Sequence, residues 1–295
     1  MSKILVVGSL HHDTMLHAHH RPEKGETVIG SGCSYKFGGK GGNQAVSAAN
    51  AGAAVRFVGA VGADQQGRFL LSVLASRGVD IQHIKALPQV PSGISVAIMD
   101  ADNDYGAVVV SNANNHIDTA QLSEDVVWQQ VSMLLLQNEV PAAINLQAAH
   151  QAKKRGVRVC LNAAPARTLS TDLQAAIDLL VVNAVEAREL SGMPVDNLAA
   201  ACAAAQALSH RFPAVVVTAG EHGVAFCQSG QQSHSLPAVQ VQLVSTHGAG
   251  DCFMGVLCTA LLQGQTLAQA VAQANQVAAE HVSRQPALPD ALPTA

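Results

Sequence analysis

The chain has 295 residues, of which 48% are hydrophobic, 13% are charged and only 3% are aromatic, and its formal net charge is −4. This composition supports a sizeable core of Ala, Val, Leu and Ile. The lack of a basic block and the scarcity of aromatic rings argue against a nucleic acid as the main partner. The first apolar run stops at Gly8, too short to span a membrane, so we expect a soluble, cytoplasmic protein with no membrane partner.

Six apolar runs predict the strands of a buried sheet. In chain order they are KILVVGS, AVRFVGAVG, VSMLLLQ, VRVCLN, IDLLVVN and AVVVTAG. Continuous runs, rather than alternating ones, are typical of strands that are buried on both faces. Helical patterns lie between them over Gly42–Gly52, Gln66–Arg77, Ala142–Arg155 and Leu198–Ser209. This alternation predicts an α/β domain over residues 1–295, with a mainly parallel central sheet and helices on both of its faces.

Two polar segments, about residues 11–37 and 92–111, interrupt the alternation. The second reads SGISVAIMDADNDYGAVVVS and predicts a hairpin that turns at DADND. We expect the two segments to form a small sheet, a lid over the carboxyl ends of the parallel strands, where ligands of open α/β sheets bind. The edges of such a lid can pair between subunits, so we expect a homodimer.

The stretch VSTHGAGDCFMGVL, residues 244–257, places Asp251 behind a glycine-rich turn where an apolar helix begins. Gly248 and Gly250 allow a tight turn, and the unpaired N–H groups of a helix start can hold an anion. Two interpretations of Asp251 are open from this stretch. It is either a helix N-cap, or a carboxylate base beside an anion hole, as phosphoryl transfer to an alcohol requires.

A second glycine cluster, FGGKGGNQAV, spans residues 37–46. It is not a Walker A loop, because no Ser or Thr follows Lys40 at the required spacing, and it is not a GxGxxG turn after a strand. It places flexible backbone and Asn43 at a helix N-terminus, an arrangement suited to hydrogen bonding with a polyol. A plain loop-to-helix turn is the alternative, in which Lys40 is solvated rather than in contact with a phosphate.

Together the two clusters closely resemble the signature regions of the ribokinase (PfkB-type) carbohydrate kinases. Further elements follow in the family's order over about residues 3–289: VVGSLHHD, LLLQNEVP, LNAAPAR, VVNAVEARELSG with its Asn-x-x-Glu motif, and VTAGEHGV. The resemblance implies a ribokinase-like three-layer sandwich with a small β-sheet lid. It also implies ATP-dependent phosphorylation of the hydroxymethyl group of a small sugar, with ribose or another pentose expected.

The resemblance also implies roles for individual residues. Asp251 would be the general base, and Gly248, Ala249 and Gly250 would form the anion hole. The sugar would be held by His11, Asp13, Gly39, Lys40, Asn43, Glu139 and Asp251. ATP would be held by Asn183, Thr218, Gly220, Glu221, Gly223, Gly250 and Asn275. Glu186 would act through water on Mg²⁺, which usually keeps several waters and binds phosphates.

Two positions depart from the family pattern. His11 stands where the sugar turn usually has Asn, so a deoxy-sugar, a ketohexose, a nucleoside and a phosphorylated sugar stay open as substrates. A non-catalytic sugar or nucleotide sensor is the alternative from another class. Ser245 stands where the family usually has an Asp that helps to bind K⁺, and the stretch VSRQPALP is shorter than the family's cation loop. We therefore expect weak or absent activation by K⁺.

Overall fold

The structure is a computed structural model that describes residues 2–102 and 104–283. The strands are β1 (Lys3–Val7), β2 (His11–His17), β3 (Gly32–Gly38), β4 (Ala54–Gly62), β5 (Asp80–Leu87), β6 (Gly93–Met99), β7 (Tyr105–Val110), β8 (Val131–Gln137), β9 (Arg158–Asn162), β10 (Leu179–Asn183), β11 (Ala214–Thr218), β12 (Val224–Gln228) and β13 (His234–Leu236). The helices are α1 (Lys40–Asn50), α2 (Gln65–Ser76), α3 (Asp125–Trp128), α4 (Ala142–Lys154), α5 (Thr171–Ala176), α6 (Ala184–Ser191), α7 (Leu198–Leu208), α8 (Ala249–Leu262) and α9 (Leu267–Ser283).

The central sheet has the strand order β13-β12-β11-β10-β9-β8-β1-β4-β5. The strands from β11 to β5 are parallel, and β12 and β13 add an antiparallel edge. Alternate residues of β1 enter different cores: Leu5 and Val7 pack with α4 to α7, while Ile4 and Val6 pack with α1, α2, α8 and α9. Helices therefore cover both faces, which confirms the three-layer sandwich and the six predicted strands.

A separate four-stranded sheet forms from the two polar segments, in the order β3-β2-β6-β7. Strand β2 pairs antiparallel with β3 and parallel with β6, and β6 and β7 form the predicted hairpin. In this register His11 lies opposite Gly38 and Gly93, and Asp13 lies opposite Lys36 and Ser95. The prediction of a small, separate sheet is confirmed. Because β2 follows β1 after a short turn, the lid stands at the carboxyl end of the central sheet.

The helix starts at the two glycine clusters differ from the sequence prediction. Helix α1 begins at Lys40 rather than Gly42, after Gly39 with a φ of 87°. A Cβ atom on Gly41 would lie 2.6 Å from the backbone nitrogen of Ser9, so only glycine lets the helix start approach the turn after β1. Helix α8 begins at Ala249, and its N-cap is Gly248 with a left-handed φ of 72°. The N-cap interpretation of Asp251 is therefore wrong, since Asp251 lies inside the first turn.

Among residues 2–102 and 104–283, no helix combines the length and the apolar character that a membrane crossing requires.

Candidate active site

Asp251 is a buried carboxylate, with 6% of its surface exposed, in the first turn of α8. Its Oδ1 accepts a hydrogen bond of 3.0 Å from Gln44 Nε2, and its Oδ2 accepts one of 3.2 Å from Asn43 Nδ2. Burial raises the pKa of Asp251, while the charge of Lys40 and the two amides act in the opposite direction. A carboxylate has about four lone-pair sites, so each oxygen keeps acceptor capacity for a further hydroxyl.

Gln44 connects Asp251 to the central sheet. The same Nε2 donates to Asn162 Oδ1 at 3.1 Å, and Asn162 Nδ2 donates to the carbonyl of Val181 at 3.2 Å. Helix α1 and strands β9 and β10 therefore position the carboxylate jointly. Sequence reasoning missed Gln44 and Asn162. The sequence signal that could have indicated Gln44 is a polar residue directly before Ala45, an apolar residue that α1 buries.

Glu139 follows the end of β8 and is held by two segments. Its Oε2 accepts hydrogen bonds from Ser9 Oγ at 2.6 Å and from the backbone nitrogen of Lys40 at 2.8 Å. Ser9 Oγ in turn accepts from the backbone nitrogen of Gly41 at 3.3 Å. The turn after β1 and the start of α1 thus fix the direction of Glu139. Sequence reasoning missed Ser9, although it lies inside the quoted motif VVGSLHHD.

His11 and Asp13 lie on one face of the lid strand β2 and approach Glu139. His11 is only 2% exposed, and its Nδ1 lies 3.7 Å from Glu139 Oε2. Asp13 Oδ1 accepts a hydrogen bond of 2.6 Å from Ser95 Oγ. Burial is the largest cause that raises the pKa of Asp13, and Glu139 acts in the same direction on Asp13 and on Asp251. Asp13 and Asp251 therefore both lie within electrostatic range of Glu139.

The glycine turn before α8 is tied to the end of α9. The backbone nitrogens of Val244 and Ser245 donate to the carbonyl of Val282 at 2.8 and 3.1 Å, and His281 Nε2 donates to the carbonyl of His247 at 3.0 Å. The first N–H groups of a helix have no partner within the helix. Ala249 and Gly250 occupy these positions in α8, next to Asp251. The backbone nitrogen of Ala249 also donates to the carbonyl of Thr246 at 3.3 Å, so several backbone hydrogen bonds fix the turn.

Asn183 and Glu186 form a capping box at the start of α6. Glu186 Oε2 accepts from the backbone nitrogen of Asn183 at 2.8 Å, and its Oε1 accepts from Asn183 Nδ2 at 2.9 Å. Burial raises the pKa of Glu186, and the charge of Lys40 lowers it. The charge of Lys40 also lowers the pKa of Asp251, so Lys40 lies within electrostatic range of both carboxylates.

The remaining predicted nucleotide residues surround the end of β11 and one face of α9. Thr218 ends β11, and the turn Gly220–His222 places Glu221 before Gly223. Gly223 has a φ of 116°, and a side chain there would collide with the carbonyl of Leu236. Asn275 donates from Nδ2 to the carbonyl of Pro237 at 3.0 Å. The segment from Pro237 to His247 therefore leads from these residues to the glycine turn.

Known proteins resemble this chain in sequence and in fold. The pfkB family carbohydrate kinase pattern matches residues 1–295. The chain belongs to this family. A ribokinase of Haemophilus influenzae is 34% identical over 288 residues, covering 95% of this chain and 92% of that protein. A deoxyribokinase of Salmonella typhi is 31% identical over 285 residues, with coverages of 95% and 92%. A solved structure of Arabidopsis thaliana ribokinase complexed with ribose and ATP superposes with a TM-score of 0.89 at 28% identity, covering 98% and 95% of the two chains.

Family membership confirms the predicted ribokinase-like fold and the enzyme class, a carbohydrate kinase. In this pfkB kinase the predicted sugar residues gather around Glu139 and Asp251. Lys40 acts electrostatically on Asp251 and also on Glu186 of α6.

The five histidines of residues 11–20 do not form one cluster: His12 packs against the rings of Tyr35 and Phe69, and His20 pairs with Glu26. In the described part of the chain, no group of three or more His, Cys, Asp or Glu side chains is arranged to hold a metal ion.

A cavity of about 560 Å³ opens beside the glycine turn of the kinase. Its walls come from β3, α1, α8 and α9, and they include Lys36, Phe37, Asn43, His247, Gly248 and His281. Asn43 also bonds to Asp251, so the cavity adjoins the buried carboxylate. His247 was given no role by the sequence analysis, and the structure places it between the turn and the lid.

Proposed function

We propose that this pfkB kinase transfers the γ-phosphoryl group of ATP to the hydroxymethyl group of a small sugar, with ribose or another pentose as the substrate. One observation carries the proposal: the buried Asp251, held by Asn43 and Gln44, adjoins the glycine turn at the start of α8. The similarity to ribokinases, including one whose structure holds ribose and ATP, supports the choice of sugar and of phosphoryl donor.

In the proposed reaction the hydroxyl oxygen of the sugar attacks the γ-phosphorus. The bond between that phosphorus and the bridging oxygen breaks, ADP leaves, and the hydroxyl proton passes to a carboxylate oxygen of Asp251. The transition state of such a transfer is loose, so the proton leaves late and positioning matters more than basicity. The N–H groups at Ala249 and Gly250, after the left-handed Gly248, would stabilise the charge of the phosphoryl group in flight.

The sugar would lie between the lid strand β2 and the ends of β1 and β8. Asp13 and Glu139 would accept hydroxyl protons, and Asn43, Lys40, His11 and the backbone of Gly39 would complete the polar contacts. Since Asp13 and Asp251 both lie in electrostatic range of Glu139, the site favours a neutral polyol over a sugar that already carries a phosphate.

On the nucleotide side, Asn183, Thr218, Gly220, Glu221, Gly223 and Asn275 would line the ATP site. Glu186 would hold Mg²⁺ through water, because Mg²⁺ binds through one or two carboxylates and the phosphates of its substrate. The residues fit such an ion, since Glu186 offers one buried carboxylate with an open lone pair on each oxygen. When bound, Mg²⁺ would neutralise charge that develops on the phosphate oxygens.

A deoxypentose is the second candidate substrate. The specific observation is His11, which pairs with Gly38 and Gly93 on the neighbouring strands and is only 2% exposed. An imidazole takes more room than the family's asparagine, which favours a sugar that lacks one hydroxyl group. The 31% identity to a deoxyribokinase is consistent with this candidate.

We also propose a homodimer through the lid sheet. Strand β7 is an edge strand of this sheet, and Val108, Val109 and Val110 are 66%, 53% and 41% exposed. Exposed apolar edges of this kind pair with a second copy or cause aggregation. Analytical ultracentrifugation of the full chain and of Val109→Lys tests this proposal, which predicts a dimer for the former and a monomer for the latter.

The function is tested by Mg²⁺-dependent ATP consumption with a panel of pentoses, deoxypentoses, ketohexoses and nucleosides, alongside Asp251→Asn. Turnover on a pentose that is lost in the variant supports the proposal. Turnover on a nucleoside or a ketohexose alone contradicts the proposed substrate. ATP binding with no turnover on any member contradicts the enzymatic proposal and favours a sugar or nucleotide sensor.

A further inference from the structure

His247 immediately precedes the glycine turn, and its backbone is held at both ends. Its nitrogen donates to Ser245 Oγ at 3.2 Å, and its carbonyl accepts from His281 Nε2 at 3.0 Å. With the backbone held, two side-chain torsions set the position of the ring. The ring is 65% exposed and lies on the wall of the 560 Å³ cavity beside Asn43 and Gly248. His247 is therefore a positioned polar group that is open to a ligand.

Asp13 faces this ring; one of its carboxylate oxygens accepts a hydrogen bond and the other accepts none from the described residues. Its Oδ1 accepts the 2.6 Å hydrogen bond from Ser95 Oγ. Its Oδ2 lies 4.0 Å from His247 Nε2, which is beyond hydrogen-bond distance. Within residues 2–102 and 104–283 no side chain or backbone N–H donates to this Oδ2. An acceptor of the lid and a donor of the glycine turn thus stand opposite each other with a gap between them.

We propose that His247 is a substrate-contacting residue that, together with Asp13, holds one ring hydroxyl of the sugar. This inference rests on the proposed function. A hydroxyl oxygen about 2.8 Å from each partner fits across a 4.0 Å separation. The hydroxyl donates its proton to Asp13 Oδ2 and accepts a hydrogen bond from His247 Nε2–H. A hydroxyl group has one donor and two acceptor lone pairs, so it can make both of these hydrogen bonds.

Such a contact makes His247 a specificity determinant that differs from His11. His11 is buried beside Glu139, so it selects mainly through the space that it occupies. His247 selects through a hydrogen bond that only one hydroxyl of the sugar can make. A sugar without this hydroxyl leaves Asp13 Oδ2 and His247 without a shared partner, which weakens its binding.

The test is a cycle of variants and substrates. The values of kcat/KM are measured for ribose and for 1-deoxyribose, 2-deoxyribose and 3-deoxyribose with the wild-type chain, His247→Ala and His247→Gln. Loss of one hydrogen bond lowers kcat/KM for ribose about three- to tenfold in His247→Ala. For one deoxy analogue the same substitution changes kcat/KM by less than about twofold. His247→Gln keeps an N–H donor and recovers part of the loss. His150→Ala, an exposed histidine of α4, is the matched control and leaves all values unchanged.

An equal loss for ribose and for all three analogues overturns the inference, because it places His247 in the general support of the turn or the lid. The affinity of each variant for each sugar is also measured by calorimetry. These affinities distinguish a wrong role for His247 from a failure of the proposed function. If the wild-type chain binds ribose without phosphorylating it, the proposed function fails. In that case the inference is supported if His247→Ala weakens the binding of ribose but not of one deoxy analogue. It is overturned if the substitution affects all of these sugars equally or none of them. A wild-type chain that binds no pentose overturns both.

Discussion

Gln44 and Asp251 are 207 positions apart in the sequence and share a buried hydrogen bond of 3.0 Å. Asn43 makes the companion bond to the other carboxylate oxygen. Neighbouring residues of one helix therefore hold both oxygens of a carboxylate on another helix. A buried charge needs such hydrogen bonds to remain ionised. The arrangement keeps Asp251 oriented, and burial still raises its pKa above the ordinary value of an aspartate.

Asp251→Asn is expected to lower kcat by about 10²- to 10⁴-fold, the usual contribution of a positioned general base. The amide has nearly the same shape and can keep a hydrogen bond to Asn43 or Gln44, so sugar and ATP affinities should change little. Steady-state kinetics and calorimetry on one preparation check both statements. A variant that keeps more than a tenth of the wild-type kcat would show that Asp251 is not the base.

The same substitution should change how stability depends on pH. Because the pKa of Asp251 is raised in the folded state, its stabilising contribution is fully present below about pH 3.9, the unfolded value, and is lost as the pH rises through the folded pKa. Asp251→Asn does not ionise, so its Tm relative to the wild type should increase between pH 4 and pH 7. Each unit of the raised pKa corresponds to about 1.4 kcal/mol. Thermal unfolding over this pH range, with the exposed Asp172→Asn as control, measures the difference. A constant Tm difference would contradict the argument.

The fold could be predicted well because buried parallel strands leave a strong local signal. The predicted strand VSMLLLQ has the same bounds as β8 in the structure, because both faces of this strand are buried in a core. Strand β5 gave no such signal because it is an edge strand that is only partly buried. The residues that support the site could not be predicted from the sequence. The bond of Ser9 to Glu139 spans 130 positions, so only the parallel pairing of β1 with β8 brings the two together.

Lys40→Met should lower kcat about 10²- to 10³-fold, the usual cost of losing one group that stabilises charge in the transition state. The positive charge of Lys40 lowers the pKa of both Asp251 and Glu186, so its removal raises both pKa values. The acid limb of the pH profile of kcat/KM should therefore move to higher pH, because the base must be ionised to accept the proton. Lys40→Arg should keep the limb in place. Lys154→Met, on the exposed face of α4, removes the same charge and should leave the profile unchanged.

Glu186→Gln should separate the structural role of the capping box from metal binding. The amide oxygen of glutamine can still accept from the backbone nitrogen of Asn183, so the free energy of unfolding should fall by no more than about 1 kcal/mol. The Mg²⁺ concentration for half-maximal activity should rise several-fold, because the carboxylate charge is lost. Magnesium titrations of activity, with the exposed Glu189→Gln of the same helix as control, test this. An unchanged magnesium requirement would limit Glu186 to the cap.

Replacing K⁺ by tetramethylammonium should change kcat/KM by less than about twofold. Hard cations need oxygen ligands and profit from formal negative charge, and the neutral Ser245 supplies no charge where the family usually has Asp. Ser245 instead holds the turn: its nitrogen donates to the carbonyl of Val282, and its hydroxyl accepts from the nitrogen of His247. The C-terminal stretch from residue 284 onward lies outside the described residues. Ser245→Asp restores a carboxylate and should produce a response to K⁺ that Ser245→Ala does not. Strong K⁺ dependence of the wild-type chain would show that other oxygens complete a cation site without that charge.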